Sequence, residues 1–269
     1  MTLSIVIITH NEEANLPRTL ASVMPLVGDG KGEIIVVDSC STDRTVEIAR
    51  SHGAKVFVEP WKGYAAQKNS AIEKATGDWI LSLDADEEVS NAAAQVIKRI
   101  LGPDADVYDT FAGVWFSRKN YFLGRWIKHG GFYPDKKLRL FRRGTGHFED
   151  RPVHETVRVK GKTGRLEMDY HGIGGQPAIE HHSYPTLSDY LDHMNRYSSL
   201  GAEMVAGEGH GSFSLLNIVF RPLATFIYNY FFRLGFLDGR EGLLLHLYHA
   251  VYTSWKYAKA WELGHTRQR

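Results

Sequence analysis

Short runs of apolar residues alternate with segments of helical periodicity in the N-terminal part of the chain. The apolar runs are typical of strands that are covered on both faces, and they occupy residues 3–8 (LSIVII), 33–37 (EIIVV), 54–58 (AKVFV) and 79–83 (WILSL). Apolar side chains at helical spacing fall between them, in residues 12–24, 42–51 and 63–75. Ser41 and Thr42 are candidate caps of the second helix. This βαβαβαβ order predicts an α/β fold with a doubly wound, mostly parallel, Rossmann-like sheet.

From about residue 108 the pattern changes to shorter alternating or aromatic segments, separated by glycine pairs and proline. These segments predict a small antiparallel region that would hold a second substrate, and they occupy residues 110–117, 137–141 and 153–159. From residue 187 onward the pattern is helical. We therefore expect an α/β region over residues 1–105, an antiparallel region over 106–184 and a helical extension over 185–269.

Charge and cysteine content exclude several classes of function. The 32 Lys and Arg residues nearly balance the 31 Asp and Glu residues, so no general positive field would bind nucleic acid. The single cysteine, Cys40, excludes an intrachain disulfide and a thiolate zinc site, which suits a reducing compartment. Residues 1–8 begin an apolar strand without a basic leader, so we expect no secretory signal and a cytoplasmic protein.

The C-terminal part raises the question of a membrane. Its most apolar stretch, residues 212–236, is interrupted by Arg221 and Arg233, and a span needs about 20 apolar residues. Aromatic and leucine side chains mixed with Arg and Lys instead favour helices that lie on an anionic membrane surface, in residues 213–236 and 243–261. Packing against the rest of the chain and a homodimer contact are the alternatives.

Polar side chains follow three of the predicted strands directly. In open parallel sheets ligands bind beyond the carboxyl ends of the strands, so these residues should share one rim. They are Thr9-His10-Asn11-Glu12, Asp38-Ser39-Cys40-Ser41 and Asp84-Ala85-Asp86-Glu87. Asp84 and Asp86 could both reach one divalent cation, and hard carboxylate ligands suit Mg²⁺ or Mn²⁺. A solvated acidic turn is the alternative for such a pair.

Three longer segments resemble a known family. The runs IVIITHNEEANL, IIVVDSCSTDRTVEIA and QKNSAIEKATGDWILSLDADEEVS resemble the nucleotide-sugar domain of inverting family 2 glycosyltransferases. The segments KHGG, YPD, LRLF, VHE, SYPTLSDYLDHMNRYS and GFLDGREG are similar to the bacterial branch that includes the lipopolysaccharide core β-glucosyltransferases. The resemblance implies a GT-A type fold, a UDP-sugar donor and an acceptor bound by the middle region.

The resemblance also assigns the donor site. Thr9, Asn11 and Glu12 match the first-strand loop around the nucleoside, where Glu12 would accept the ribose hydroxyls. Asp38 matches the acid that reads the uracil edge. Lys68 lies in the QKN segment that lines the same pocket.

A metal site follows from the same comparison. Asp86 matches the direct ligand of Mg²⁺ or Mn²⁺, and Asp84 would lie nearer the ribose while sharing the metal site. His181 matches a histidine that could complete the metal shell or touch the diphosphate. A cation there would stabilise the negative charge of the departing diphosphate.

An inverting transfer needs a general base on the face of the sugar opposite the leaving group. Glu155 is our candidate because it matches the family's VHE segment, and His154 would orient it or contact the acceptor. The spacing leaves other acids open as the base, and they are Asp135, Glu149 and Asp150.

Two further residues are candidates for acceptor or phosphate binding. Arg139 lies in a basic strand segment, and its guanidinium suits bidentate phosphate recognition. His129 precedes a glycine pair that could form a flexible lip over the substrates.

The sequence therefore predicts a metal-dependent inverting hexosyltransferase, with UDP-glucose as the expected donor. The expected acceptor is a hydroxyl of a lipid-linked glycan such as the lipopolysaccharide core, met at the inner face of the cytoplasmic membrane. Transfer to a polyprenyl phosphate is the alternative reaction. A nucleotide-sugar-binding protein without activity and a membrane scaffold are the alternatives outside this chemistry.

Overall fold

A computed structural model describes residues 1–30, 32–102, 110–149, 156–165, 175–208 and 212–266. The chain divides into two compact units. The first comprises Met1–Arg118 and Asp135–His181, and the second comprises Lys119–Pro134 and His182–Arg269. Residues 119–134, which the sequence assigned to the middle region, thus group with the C-terminal helices.

The described residues form a mixed α/β chain. The strands are β1 (Leu3–Thr9), β2 (Gly32–Asp38), β3 (Lys55–Val58), β4 (Trp79–Asp84), β5 (Glu87–Val89), β6 (Gly113–Phe122), β7 (Arg125–Trp126), β8 (Asp135–Arg142), β9 (Gly146–Glu149), β10 (Thr156–Val159), β11 (Thr163–Arg165) and β12 (Ala178–Tyr184). The α-helices are α1 (Leu16–Val27), α2 (Thr45–Ser51), α3 (Tyr64–Glu73), α4 (Asn91–Leu101), α5 (Leu187–Gly207), α6 (Arg221–Ile227) and α7 (Gly239–Thr266).

The sheet has the strand order β3-β2-β1-β4-β8-β6-β12-β5. Strands β1 to β4 are parallel, and their register places Thr9 opposite Asp38 and Ile8 opposite Asp84. The pairs β4–β8, β6–β8 and β5–β12 are antiparallel. The predicted α/β class, with its parallel sheet and antiparallel addition, is confirmed.

Strand β1 shows why the apolar runs form the centre of the sheet. Its side chains alternate between the two faces, because successive residues of a strand point to opposite sides. Leu3, Ile5 and Ile7 pack in one buried cluster with the inner face of α1, whereas Val6 packs in another with Ala65 of α3. Helices therefore cover this strand on both faces.

The first two helices begin later than the sequence predicted. Helix α1 starts at Leu16, and the preceding loop turns through Asn11, whose φ is +54°. Helix α2 starts at Thr45, so the predicted caps Ser41 and Thr42 are wrong. The Ser41 hydroxyl donates to Asp38 instead. The side chain of Asp43 accepts the Thr45 N–H at 3.0 Å and takes the place of the predicted caps.

The second unit is mainly helical. Helix α5 begins with a capping box in which Thr186 and Asp189 satisfy each other's backbone N–H groups. Its Tyr190 and Met194 pack with Phe122, Ile127 and, from α7, Leu245 in a separate buried cluster. None of the helices among the described residues is both long and apolar enough to cross a membrane.

Candidate active site

Asp38 is a fully buried carboxylate at the end of β2. Its Oδ2 accepts the Thr9 hydroxyl at 2.9 Å, and its Oδ1 accepts the Ser41 N–H at 2.8 Å. The Ser41 hydroxyl also donates to this carboxylate. Thr9 and Asp38, predicted as donor ligands, therefore lie together at the rim, and the hydrogen bonds fix the carboxylate in one orientation.

The loops after β1 and β2 are tied to each other at the same rim. The Asn11 N–H donates to the Ser41 hydroxyl oxygen at 2.8 Å, and the Asn11 side-chain oxygen accepts the Thr42 N–H at 2.8 Å. The Glu12 N–H donates to Thr45 Oγ1 at 2.8 Å. These bonds hold the loop that carries Asn11 and Glu12 against the loop that follows Asp38.

Glu12 has an electrostatic environment that disfavours its ionised form. Burial raises the pKa of Glu12, and the negative charges of Asp86, Asp43 and Asp84 raise it further. The hydrogen bond that Asn15 Nδ2 donates to Glu12, at 2.9 Å, partly offsets this effect. Glu12 thus lies within electrostatic reach of the acidic turn, and its role in a donor pocket stays a prediction.

Asp84 ends β4 between two cationic side chains. Lys68 Nζ lies 2.7 Å from its Oδ1, and Arg139 Nη2 lies 2.7 Å from its Oδ2. Although burial opposes ionisation, the charges of Lys68 and Arg139 hold the pKa of Asp84 well below its usual range. Both oxygens of Asp84 are therefore engaged within the protein.

Glu87 connects this turn to the buried Arg139 and the half-buried Arg118. Its Oε2 accepts the backbone N–H of Asp84 at 3.1 Å, and its Oε1 pairs with Arg139 and with Arg118, the latter at 3.2 Å. Arg118 also pairs with Asp135 at 2.7 Å. The network joins three cationic side chains to three acidic ones, and its members are Lys68, Arg118, Arg139, Asp84, Glu87 and Asp135. Its bond from Glu87 to the Asp84 N–H holds the backbone of the acidic turn in place.

Asp86 is half-buried in the same turn, and a histidine lies opposite it. His181 Nε2 is 3.3 Å from Asp86 Oδ2, and His181 lies level with Glu87 in the β5–β12 pairing. Burial would raise the pKa of Asp86, but the interaction with His181 outweighs it, and this pKa lies below its usual value.

The donor set at the turn fits a divalent cation that is shared with substrate. Within the described part of the chain, His, Cys, Asp and Glu nowhere form a group of three or more that could hold a metal. Asp86 and His181 together offer one carboxylate and one imidazole. Mg²⁺ and similar ions are commonly bound by one or two protein ligands, with phosphate oxygens and water in the other positions. Asp86 and His181 would supply the protein ligands here.

Two buried polar side chains at this rim have no hydrogen-bond partner among the described residues. They are Ser39, which follows β2, and Gln67, which precedes Lys68 on α3. Buried polar groups are normally paired in folded proteins. The sequence analysis named Ser39 among the residues that follow β2 without giving it a role, and Gln67 belongs to the QKN segment.

The other predicted site residues lie in different surroundings. His129 belongs to the second unit, where its Nδ1 is 2.9 Å from Asp238. Arg139 pairs with Asp84 and Glu87, so its predicted contact with phosphate stays a prediction. Glu155 and His154 lie outside the described residues.

Two of the three alternative candidates for the general base lie among the described residues, and each is paired with a cationic side chain. Asp135 pairs with Arg118 and with Lys137, and Glu149 pairs with Arg158. Asp150 lies outside the described residues. The choice of the base among these acids stays a prediction.

Arg118 and Glu87 are the site residues to which the sequence analysis gave no role. A signal for Arg118 was present, since it follows Val114 and Phe116 at every second position of β6. Both of these residues are buried, so a charged residue in this register faces inward. An inward charge on a strand requires a buried partner, which Glu87 provides.

Asp38 ends β2 and Asp84 ends β4, so both acids lie at the carboxyl ends of parallel strands, where ligands bind in open α/β sheets. The model of the family "Glycosyl transferase family 2" matches residues 4–156. This chain therefore belongs to the family 2 glycosyltransferases, enzymes that use nucleotide sugars.

Similar proteins extend over nearly the whole chain. The lipopolysaccharide core biosynthesis glycosyltransferase LpsC of Rhizobium meliloti is 27% identical over 97% of this chain and 92% of its own length. An uncharacterized glycosyltransferase of Rickettsia typhi is 30% identical over 97% of this chain and 87% of its own length. The predicted resemblance to this bacterial branch is confirmed.

Two solved structures were also found to be similar to this chain, each with a TM-score below 0.5. TarS of Staphylococcus aureus covers 100% of this chain and 92% of its own, at 15% identity and a TM-score of 0.46. Glucosyl-3-phosphoglycerate synthase of Mycobacterium tuberculosis, solved with Mn²⁺, UDP and product, covers 45% of this chain and 44% of its own. Its identity is 27% and its TM-score is 0.35. The family assignment rests on the sequence matches.

Proposed function

We propose that this enzyme transfers a hexose, with glucose as the expected sugar, from a UDP-sugar to a hydroxyl of a lipid-linked glycan, with inversion at the anomeric carbon. The observation that supports this reaction most directly is the acidic turn after β4. There Asp84 is held by Lys68 and Arg139, while Asp86 faces His181. A rigid, partly buried acidic turn beside a nucleoside rim suits the release of a diphosphate.

The nucleoside half of the donor would bind along the ends of β1 and β2. Asp38 is held by Thr9 and Ser41 with both oxygens oriented, which suits an acid that accepts the single ring N–H of a uracil. Glu12 would accept the ribose hydroxyls, with Asn11 beside it. The unpaired buried groups of Ser39 and Gln67 are further partners that a donor could satisfy.

The diphosphate half would lie at the turn between β4 and β5. Asp86 and His181 would hold Mg²⁺ or Mn²⁺, with Asp84 beside them. The bound cation would offset the negative charge that develops on the leaving diphosphate. Lys68 and Arg139 neutralise Asp84, which lowers the repulsion between the turn and the diphosphate.

The acceptor hydroxyl must lose its proton as it attacks the anomeric carbon. We assign this role to Glu155, with His154 as its neighbour, because an inverting transfer needs one carboxylate opposite the leaving group. The bond from acceptor oxygen to anomeric carbon forms while the bond to the diphosphate oxygen breaks, and Glu155 receives the proton. Asp135 and Glu149 are less suited, since each is already paired with a cationic side chain.

The similarity to a lipopolysaccharide core glycosyltransferase supports the choice of acceptor. An acceptor of this class carries a lipid, so the reaction would take place at the inner face of the cytoplasmic membrane. His129 is proposed to contact the glycan. The two possible acceptors are distinguished by measuring sugar transfer to a polyprenyl phosphate and to a core glycan in parallel reactions. The proposal expects transfer to the core glycan.

One assay tests the metal and the base together. UDP-glucose turnover is measured with Mg²⁺, Mn²⁺ or EDTA for the wild type, Asp86→Asn and Glu155→Gln, and UDP binding is measured by calorimetry. We expect EDTA and Asp86→Asn to abolish turnover and weaken UDP binding. Glu155→Gln should lower transfer by at least about a hundredfold while UDP still binds. Undiminished turnover in EDTA would show that no cation is required, and UDP binding without turnover in any condition would support a binding protein.

A further inference from the structure

The segment from Phe213 to Leu237 exposes large apolar side chains over most of its length. Phe232 is 75% exposed, Leu216 67%, Leu215 60% and Phe220 59%. The others that are exposed are Phe213, Val219, Leu223, Ile227, Tyr228, Phe231, Leu234, Phe236 and Leu237. Contiguous exposed apolar area of this kind marks an interaction surface, and we call these residues the apolar surface.

Helical geometry explains why the apolar side chains are together. The chain forms π-helical turns at Leu216–Phe220 and Tyr228–Phe232, with α6 between them. Leu216, Phe220, Leu223, Ile227 and Phe231 recur at intervals of three or four residues, about one helical turn, so successive members lie along one side of the segment. The other side is held by α7, whose Ser254 donates to the backbone oxygen of Ile218 at 2.8 Å. A surface helix ordinarily has a polar outer face, and here the outer face is apolar.

Charge indicates what covers this surface. Residues 212–237 contain Arg221 and Arg233 and no Asp or Glu. Both arginines are exposed, and each guanidinium lies over a tyrosine ring. The guanidinium carbon of Arg221 is 5.1 Å from the centre of the Tyr257 ring, and that of Arg233 is 5.7 Å from the centre of the Tyr228 ring. Apolar residues bordered by arginine and tyrosine fit the boundary between acyl chains and anionic headgroups. Two copies of this chain would instead bring together surfaces with the same charge and no acid to pair with it.

We propose that the apolar surface docks the enzyme on an anionic lipid bilayer. The helical segment lies in the plane of the headgroups, its apolar side enters the upper acyl region, and Arg221 and Arg233 contact lipid phosphate. This surface adds a binding partner to the proposed function, and lipid binding can be measured without any sugar substrate.

Vesicle flotation of the full chain tests the proposal. Vesicles of phosphatidylcholine with phosphatidylglycerol are compared with vesicles of phosphatidylcholine alone, at low and high salt. We expect the wild type to float with the anionic vesicles and to float less at high salt, because surface charge interactions are screened. The triple variant Leu216→Gln/Phe220→Gln/Phe232→Gln should lower the bound fraction by at least about tenfold.

A matched variant separates this surface from general surface hydrophobicity. Met24 and Met204 are exposed at 42% and 46% outside the apolar surface. Met24→Gln/Met204→Gln should float like the wild type. Both variants should retain the wild-type melting temperature and UDP-glucose hydrolysis, since the changed side chains are exposed.

Three outcomes would overturn the proposal. The wild type could stay in the bottom fraction with anionic vesicles, or the triple variant could float unchanged. The wild type could also sediment as a dimer that the triple variant dissociates, without any flotation, which would make the surface a contact between two copies. Each outcome is independent of UDP-glucose turnover, so failure here is distinguishable from failure of the proposed reaction.

Discussion

Glu87 shows how one buried side chain can hold the backbone of the acidic turn in place. It is 0% exposed, accepts the Asp84 N–H through one oxygen and pairs with Arg118 and Arg139 through the other. Breaking a buried charge pair leaves an uncompensated charge behind. Glu87 is therefore a positioning residue for the acidic turn.

Glu87→Gln tests this role. The amide can still accept the Asp84 N–H, but Arg118 and Arg139 lose a counter-charge. We expect the free energy of unfolding to fall by about 3 kcal/mol, measured by urea denaturation. The cation concentration for half-maximal turnover should rise by about tenfold, as for residues that support metal ligands.

The adjacent Glu88→Gln is the matched control. The Glu88 side chain is 24% exposed and pairs with Arg18 at 2.7 Å. Its loss should change the unfolding free energy by less than about 1 kcal/mol and leave the cation requirement unchanged. If the two variants behave alike, Glu87 has no special place in the turn.

Glu12 predicts a pH dependence of donor binding. Burial, with the charges of Asp86 and Asp84, raises the pKa of Glu12 above its usual value of 4.5. The ionised carboxylate accepts ribose hydroxyls through both oxygens, and protonation turns one of them into a donor, so KM for the UDP-sugar should rise as the pH falls towards that raised pKa. Glu12→Gln should flatten this acidic limb in a profile of kcat/KM, whereas Glu13→Gln should keep it. An acidic limb that survives in Glu12→Gln would assign it to another group.

The raised pKa of Glu12 affects folding stability in the opposite direction to donor binding. A carboxyl whose pKa is higher in the folded state than in the unfolded state favours folding when it is protonated. The contribution of Glu12 to stability is therefore present at low pH and is lost as the pH rises through its folded-state pKa. Donor binding and folding thus place opposing demands on this residue.

At the scale of elements, the apolar runs predicted the central strands well. Residues 3–8 and 79–83 became β1 (Leu3–Thr9) and β4 (Trp79–Asp84), because a strand covered on both faces needs an unbroken apolar sequence. The starts of α1 and α2 were predicted too early. Both loops are held by side-chain hydrogen bonds to each other, and such contacts between distant residues have no local signature.

The helical segment that carries the apolar surface shows a different limit. Its sequence indicated an amphipathic or membrane-associated helix, but periodicity does not say which side faces the protein. That choice depends on α7, which takes one side and leaves Phe220 and Phe232 exposed.

At the scale of the whole molecule, ligand binding should be visible as stability. A ligand that binds only the folded state stabilises it by RT ln(1 + [L]/Kd), which is about 2.7 kcal/mol at a hundredfold excess over Kd. We expect UDP with Mn²⁺ to raise the melting temperature of the wild type, and to raise it much less in Asp86→Asn. ADP with Mn²⁺ is the control, since Asp38 is assigned to the uracil edge. An equal shift with both nucleotides would contradict base recognition by Asp38.

The net charge of +1 also acts at this scale. A nearly neutral molecule has little long-range attraction for polyanions, so binding to an anionic membrane must come from a local surface. The proposed surface is local, because Arg221 and Arg233 lie next to exposed aromatic residues. The proposed membrane binding therefore depends on a small number of side chains.

The sequence by itself determined the α/β class, the family and the acids at the strand ends. These follow from local patterns, since apolar runs form the parallel strands and their polar ends meet at one rim. Only the tertiary structure decided that Glu87 pairs with Arg118 and Arg139 and accepts the Asp84 N–H. It also decided which apolar side chains of the Phe213–Leu237 segment are exposed to solvent. Both results depend on which strands and helices become neighbours, and contacts between residues far apart in the chain are set by packing of the whole fold.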